Sequence, residues 1–185
     1  MGVRWGFLVL LLIGLSHSAA DAESITIKAF YGTYEGSGIA KNADSLYFGV
    51  TDRDIGVVIH PEGNGFSISW TTVLHAGGNV QNPKVKHRAD KLSFVPVSGG
   101  TQPSRVAQWH ATQMPDPMSG NPYAWARLED TKLTVYMLTI DPDGRYEVQR
   151  YDRTLVAGGM ELTFTDVRDG EPIRVVRGKL VKVGD

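Results

Sequence analysis

Short segments in which polar and apolar residues alternate are the feature of this sequence that most constrains its fold. Between Gly65 and Thr72, the apolar residues Phe66, Ile68 and Trp70 alternate with serine and threonine. Successive side chains of a β-strand point to opposite faces, so a period of two predicts a half-buried strand. No segment of the sequence shows a sustained helical period. The chain is therefore predicted to be all-β.

The C-terminal half repeats this pattern at regular spacing. Its predicted strands are residues 123–128, 132–140, 145–151, 154–156, 160–167 and 173–183. Turn residues separate them, as in Asp141-Pro142-Asp143-Gly144 and Arg168-Asp169-Gly170-Glu171, because Pro presets the first corner of a turn and Gly and Asp tolerate positive φ. Strands joined by such short loops are antiparallel neighbours, since parallel pairs need long crossovers.

The N-terminal half supplies the remaining strands. They are predicted at residues 25–40, 45–51, 55–60, 66–74 and 91–97, and Asn64-Gly65 favours a tight hairpin between two of them. Residues 76–89 are interpreted as a loop or lid, and Val106 to His110 as either a strand or one helical turn. We interpret these segments as eight to ten strands in total. That many antiparallel strands must hide their edges, which predicts an up-and-down β-barrel, with a two-layer β-sandwich as the alternative.

The N-terminus has the features of a cleaved export signal. Arg4 precedes an uncharged, mainly apolar run from Trp5 to Leu15, and Ala20-Asp21-Ala22 fits the small-x-small pattern of a cleavage site. The run is shorter than the about 20 residues that a membrane-spanning helix needs. We therefore expect residues 1–22 to be a signal peptide and residues 23–185 to be a single barrel domain. The mature chain is expected in the periplasm or secreted, without a transmembrane segment.

Composition narrows the chemistry further. The sequence contains no cysteine, which excludes disulfides, thiolate metal sites and a cysteine nucleophile. Small eukaryotic secreted domains are often stapled by disulfides, so this composition favours a bacterial periplasm. The formal net charge is −1 and the basic residues are scattered. No field of positive charge attracts nucleic acid, and no nucleic-acid partner is expected.

One segment carries a family resemblance. Gly32-Thr33-Tyr34-Glu35-Gly36-Ser37-Gly38 resembles the Gly-x-aromatic-x-Gly opening of the calycin-like barrels, which include lipocalins, fatty-acid-binding proteins and haem-binding nitrobindin-like proteins. Tyr151-Asp152-Arg153 and Met160-Glu161-Leu162-Thr163-Phe164 look like the ending of small exported barrels. The resemblance implies a barrel that encloses a small apolar molecule. The haem-binding members use a histidine on a late strand, and no histidine follows His110 here, so haem ligation in that manner is not expected.

Aromatic side chains in the predicted strands are the candidate ligand contacts. They either fill the core of a small barrel or line a pocket in a wider one. For a pocket, we predict Trp70, Trp125 and Tyr136 as lining residues, because their apolar faces and polar tips suit a largely apolar ligand. The first hypothesis is an exported barrel that binds such a molecule. The second is a structural or interaction protein of the cell envelope with a filled barrel and an unidentified partner.

A metal site is a further alternative. His110, Met114 and Met118 are spaced four residues apart, and imidazole and thioether ligands suit Cu(I). Pro115 and Pro117 prevent a regular helix from aligning them, although a loop can gather all three. The sequence has no Gly-x-Ser-x-Gly, His-Glu-x-x-His or P-loop motif. No catalytic site and no cofactor are therefore predicted.

Overall fold

Ten antiparallel β-strands form one closed barrel in the computed structural model, which describes residues 26–42, 51–75, 85–97 and 106–185. The strands are β1 (Gly32–Asn42), β2 (Thr51–Glu62), β3 (Gly65–His75), β4 (Val85–Pro96), β5 (Val106–Ala111), β6 (Tyr123–Glu129), β7 (Lys132–Ile140), β8 (Tyr146–Val156), β9 (Gly159–Arg168) and β10 (Glu171–Gly184). Each strand pairs with its sequence neighbours, and β10 pairs with β1. The predicted up-and-down barrel is confirmed, and closure of the sheet on itself excludes the sandwich.

Tight turns join the C-terminal strands. Asp169 and Gly170, between β9 and β10, have φ angles of 48° and 88°. Positive φ at both central residues is the geometry whose twist matches two paired antiparallel strands. Asp130, between β6 and β7, also has a positive φ of 49°. The Asp and Gly residues of these turn signals therefore have the conformational role that the sequence predicts.

Part of the barrel interior is a filled aromatic core. Phe66 stacks on Phe94 with the ring centroids 5.0 Å apart, and Trp109 meets Phe66 edge-on at 5.4 Å. Phe30, in a short 3-10 helix (Ile27–Phe30) that precedes β1, is fully buried. The Tyr34 hydroxyl donates a hydrogen bond of 3.1 Å to the Phe30 carbonyl oxygen. Such aromatic burial contributes much of the hydrophobic stabilisation of a small barrel.

The Gly-x-Tyr-x-Gly segment shapes β1 where it closes the barrel. Tyr34 is buried, whereas an added Cβ at Gly36 would collide with the Lys179 carbonyl oxygen of β10. Gly38 lies opposite Gly178 in the β1–β10 register, so no side chain separates the two strands there. The glycines therefore permit a close backbone approach at the closing seam.

Several element boundaries differ from the sequence prediction. Residues 27–30 form a 3-10 helix rather than strand, β2 and β8 are each continuous, and Val106 to His110 belongs to a strand. Residues 85–89, predicted as part of a loop or lid, belong to β4 and pair with the end of β3. The strand was not predicted here because these side chains are exposed, so the sequence does not need the regular apolar positions that identify a half-buried strand. The predicted signal peptide and most of the predicted 45–51 strand lie outside the described residues.

Candidate ligand-binding site

A cavity of about 70 Å³ lies inside the barrel, next to the filled aromatic core. Its apolar wall comes from inward-facing residues of β2, β3, β9 and β10. These residues are Ile55, Val57, Trp70, Leu74, Leu162, Phe164 and Val176. Tyr151 and Thr72 add hydroxyl groups, and four arginines complete the lining. The cavity is thus mainly apolar, with its polar groups concentrated in guanidinium side chains.

Aromatic rings from facing parts of the barrel form one side of this cavity. The Trp70 ring, on β3, lies 5.0 Å from the Tyr151 ring on β8, measured between centroids. Tyr151 in turn packs against Phe164 of β9 at 4.7 Å. Burial raises the pKa of Tyr151 to about 12, so its hydroxyl keeps its proton at physiological pH. Three aromatic rings, from β3, β8 and β9, therefore contact one another at the cavity wall.

Arg153 is the most unusual residue of the lining. Its exposed fraction is 0 %, and its guanidinium carbon lies 5.4 Å from the ring centroids of both Trp70 and Tyr151. The Nε and Nη1 atoms have no hydrogen-bond partner among the described residues. Burial lowers the pKa of Arg153 to about 10, which still leaves the side chain charged at neutral pH. The cavity therefore contains a buried cation held mainly by two aromatic faces.

The other three arginines differ in their partners. Arg88 forms an ion pair with Asp90, with Nε 3.0 Å from Oδ2. Arg174 lies 3.9 Å from Asp166, measured from Nη1 to Oδ2. Burial, together with the positive charge of Arg174, lowers the pKa of Arg53, and its Nε has no hydrogen-bond partner among the described residues.

An acid pair lies beside the cavity on β8 and β9. Asp166 is 3 % exposed, and burial followed by the negative charge of Glu147 raises its pKa to about 6. Burial also disfavours the charge of Glu147, but hydrogen bonds from Arg168 (2.8 Å) and Gln149 (2.9 Å) hold its pKa below the usual value. The two environments push the carboxyl pKa values apart, so a proton bound to this pair resides on Asp166.

The structure separates the three predicted pocket residues. Trp70 lines the cavity, but Trp125 and Tyr136 lie on the outer face of β6 and β7, where their rings stack 4.9 Å apart at an angle of 9°. Because side chains alternate along β6, the buried positions are Ala124 and Ala126 and the tryptophan between them faces outward. Trp125 and Tyr136 therefore do not line the interior cavity with Trp70.

The three predicted copper ligands are also placed differently from one another. His110 and Met114 border the same outer-surface hollow, whereas Met118 borders another one, beside the β7–β8 turn. Met114 and Met118 are 54 % and 55 % exposed. The His110 Nδ1 atom lies 3.1 Å from the Ala111 carbonyl oxygen. Copper binding by these residues stays a prediction. Within the described ranges, no three His, Cys, Asp or Glu side chains gather as a metal site.

The arginines of the cavity are the site residues that the sequence analysis missed. A signal was present in the strand alternation. Arg53 lies an even number of residues from Ile55 and Val57, and therefore on the same face of its strand. Arg153 likewise shares a face with Tyr151. Charged residues usually face solvent, and this expectation outweighed their position in the pattern. If every second residue of a strand is assigned to the interior regardless of its type, both Arg53 and Arg153 are identified as inward-facing.

Comparisons with known proteins assign no family. No protein-family profile and no curated protein matches this sequence. Among solved structures, the barrel is similar to an S-type phycobiliprotein lyase, CPES, from Guillardia theta, with 8 % sequence identity and a TM-score of 0.32. The similarity covers 85 % of this chain and 93 % of the lyase chain. A likeness this distant assigns neither ligand nor activity. No helix among the described residues is long and apolar enough to cross a membrane.

Proposed function

We propose that this protein is an exported barrel that binds a small, largely apolar molecule in the cavity beside Trp70 and Tyr151. The single observation that carries the proposal is the cavity, a space in the barrel that is partly open to solvent and has a mainly apolar wall. Interiors of proteins are close-packed, and concave apolar sites with a few polar groups are the usual form of small-molecule sites. The N-terminal sequence pattern supports export.

The size of the cavity limits the ligand. A site needs at least about 10–15 Å³ to hold one water molecule, so a cavity of about 70 Å³ has room for only a few such molecules. A ligand that fits entirely inside is therefore small. A longer molecule must leave part of its length outside the cavity.

Native mass spectrometry of the mature protein, purified from its own compartment, tests the proposal. We expect a discrete extra mass that denaturation releases. Val176 lines the cavity and Val175, its neighbour on β10, does not, so Val176→Phe fills the site while Val175→Phe is the matched control. The extra mass should disappear in the first variant and persist in the second. Equal retention in both variants, or no released mass in the wild type, would contradict the proposal.

The other two hypotheses from the sequence stay predictions. Docking of an envelope partner requires an outer surface, and the stacked Trp125 and Tyr136 rings are on such a surface. Copper binding requires His110, Met114 and Met118 to converge. Neither hypothesis has a feature comparable to the interior cavity, so ligand binding is the function that the geometry supports best.

A further inference from the structure

Only some of the arginines that line the cavity have a carboxylate partner. Of the four arginines, Arg88 has Asp90 as an ion-pair partner and Arg174 has Asp166. Neither Arg53 nor Arg153 has a carboxylate within ion-pair distance among the described residues, and no described lining residue is acidic. Among the described residues, therefore, no carboxylate is close enough to pair with these two positive charges at the cavity.

The surroundings of Arg153 indicate which kind of ligand group would compensate its charge. A buried cation without an anion is one of the costliest arrangements in a protein, because burial removes its hydration. The Trp70 and Tyr151 rings offset part of that cost through their π faces. A ring face is a poor substitute for the acceptor atoms that Nε and Nη1 need. An anion with oxygen acceptors would satisfy both atoms.

The second arginine lies on the other side of the closing seam. Arg153 on β8 is opposite Leu162 of β9, Leu162 is opposite Gly178 of β10, and the same row continues across β1 to Arg53 on β2. The two glycines in this row, at 38 and 178, carry no side chains that would separate the arginines. The row therefore brings Arg53 and Arg153 to one cavity from two different strands.

Resting on the proposed function, we propose that the ligand is a short carboxylate whose negative group pairs with Arg153 and Arg53, while its apolar part contacts the Trp70 and Phe164 wall. Arginine suits this role because its rigid donors match carboxylate oxygens and its charge is weakly hydrated. The small cavity favours a carboxylate over a bulkier anionic group such as a phosphate ester. The ligand then completes the interior electrostatics of the barrel as well as filling its space.

Paired titrations with pentanoate and 1-pentanol, followed by calorimetry, test this assignment. Both compounds have the same apolar chain, and only pentanoate carries a charge. We expect the wild type to bind pentanoate at least about tenfold more tightly than the alcohol, the range expected for hydrogen bonds to a charged group. Arg153→Met should remove this preference while retaining the alcohol. Arg150→Met is the matched control, because Arg150 is an exposed residue of the same strand, and it should leave both affinities unchanged.

A second variant and a spectroscopic readout separate binding from folding effects. Arg53→Met, at a less buried position, should weaken pentanoate binding by a smaller factor than Arg153→Met. Addition of pentanoate, but not of 1-pentanol, should shift the Nε–H resonance of Arg153 in an NMR spectrum. Unchanged pentanoate affinity in Arg153→Met, or tighter binding of pentyl phosphate than of pentanoate, would overturn the assignment.

The outcomes distinguish this inference from the proposed function on which it rests. If both compounds bind equally and Val176→Phe abolishes both, the cavity binds ligands but the carboxylate assignment is wrong. If neither compound binds and the purified protein carries no extra mass, the proposed function and the carboxylate assignment are both contradicted.

Discussion

The filled aromatic core and the arginine-lined cavity occupy the same barrel but follow opposite packing rules. Around Phe66, Phe94 and Trp109, rings contact one another at centroid distances of 5.0 and 5.4 Å, and every member is nearly or fully buried. Around Arg153, aromatic rings contact a cation and border empty space. The core consists of apolar rings packed on one another, whereas the cavity lining retains the cost of a buried cation, which the two rings offset only in part.

The difference indicates which part of the barrel is suited to bind a ligand. Both regions have aromatic residues on inward-facing strand positions, so aromatic content does not distinguish them. They differ in the presence of inward-facing charge, which is costly in a barrel interior and is retained where a site needs it. Predictions on stability can therefore separate the two regions without knowledge of the ligand.

The largest effect is expected in the filled core. Phe66→Ala should lower the free energy of unfolding by about 3–5 kcal/mol, because it removes apolar contacts and leaves a cavity. Phe164→Ala is the matched substitution at the cavity wall and should cost only about 1.5–3 kcal/mol, close to the transfer free energy of the side chain, since it enlarges a space already present. Urea unfolding measures both. An equal cost would show that the two regions are packed alike.

At Arg153, by contrast, we expect a substitution to raise the free energy of unfolding. In the ligand-free protein, Arg153→Met replaces an unpaired buried cation with an apolar side chain of similar length, and we expect a gain of about 1–3 kcal/mol in unfolding free energy. Ligand-free and ligand-saturated wild type should be compared in the same urea titration. A loss of stability in the ligand-free variant would mean that the Trp70 and Tyr151 rings fully compensate the charge, and the contrast with the core would fail.

A pH dependence is expected from the acid pair. The pKa of Asp166 is raised to about 6 in the folded protein, above its value in the unfolded chain, so the folded state binds more protons between these two values. Stability contributed by the protonated group is present at low pH and is lost as the pH rises to about 6. Asp166→Asn should therefore gain about 1–3 kcal/mol relative to the wild type between pH 4 and pH 7. A constant difference across urea unfolding at pH 4, 5.5 and 7 would contradict this linkage.

The sequence predicts the architecture because strand alternation and turn chemistry are local. The turns at Asp130 and Asp169, and the inward positions of Phe66, Ile68 and Trp70, follow from residue type and parity alone. Local signals do not decide which face of β6 is inside, because Trp125 and its alanine neighbours satisfy a period of two in either orientation. That choice depends on tertiary packing.

The pairing of β5 with β6 shows why Trp125 faces outward. Ala126 lies opposite the buried Trp109, so a small inward residue accommodates a large one on the adjacent strand. The inward arginines were missed for a different reason. Their positions in the strand alternation place them inside the barrel, but charged side chains usually face water, and the second expectation was given more weight. Only the closed barrel shows that Arg53 and Arg153, distant in sequence, border one cavity.

The smallest effect is expected on the outer face. Tyr136→Ser removes the stacking partner of Trp125 without opening the interior, and a half-buried aromatic pair of this kind contributes about 0.5–1.5 kcal/mol. We expect a loss of stability in that range and unchanged pentanoate binding, since the pair lies on the face of the sheet opposite the cavity. Thermal unfolding and calorimetry on the same variant measure both quantities. A reduced pentanoate affinity in a folded Tyr136→Ser protein would show that the outer aromatic face communicates with the interior. The separation of the barrel into a packed core, a charged cavity and an independent surface would then be wrong.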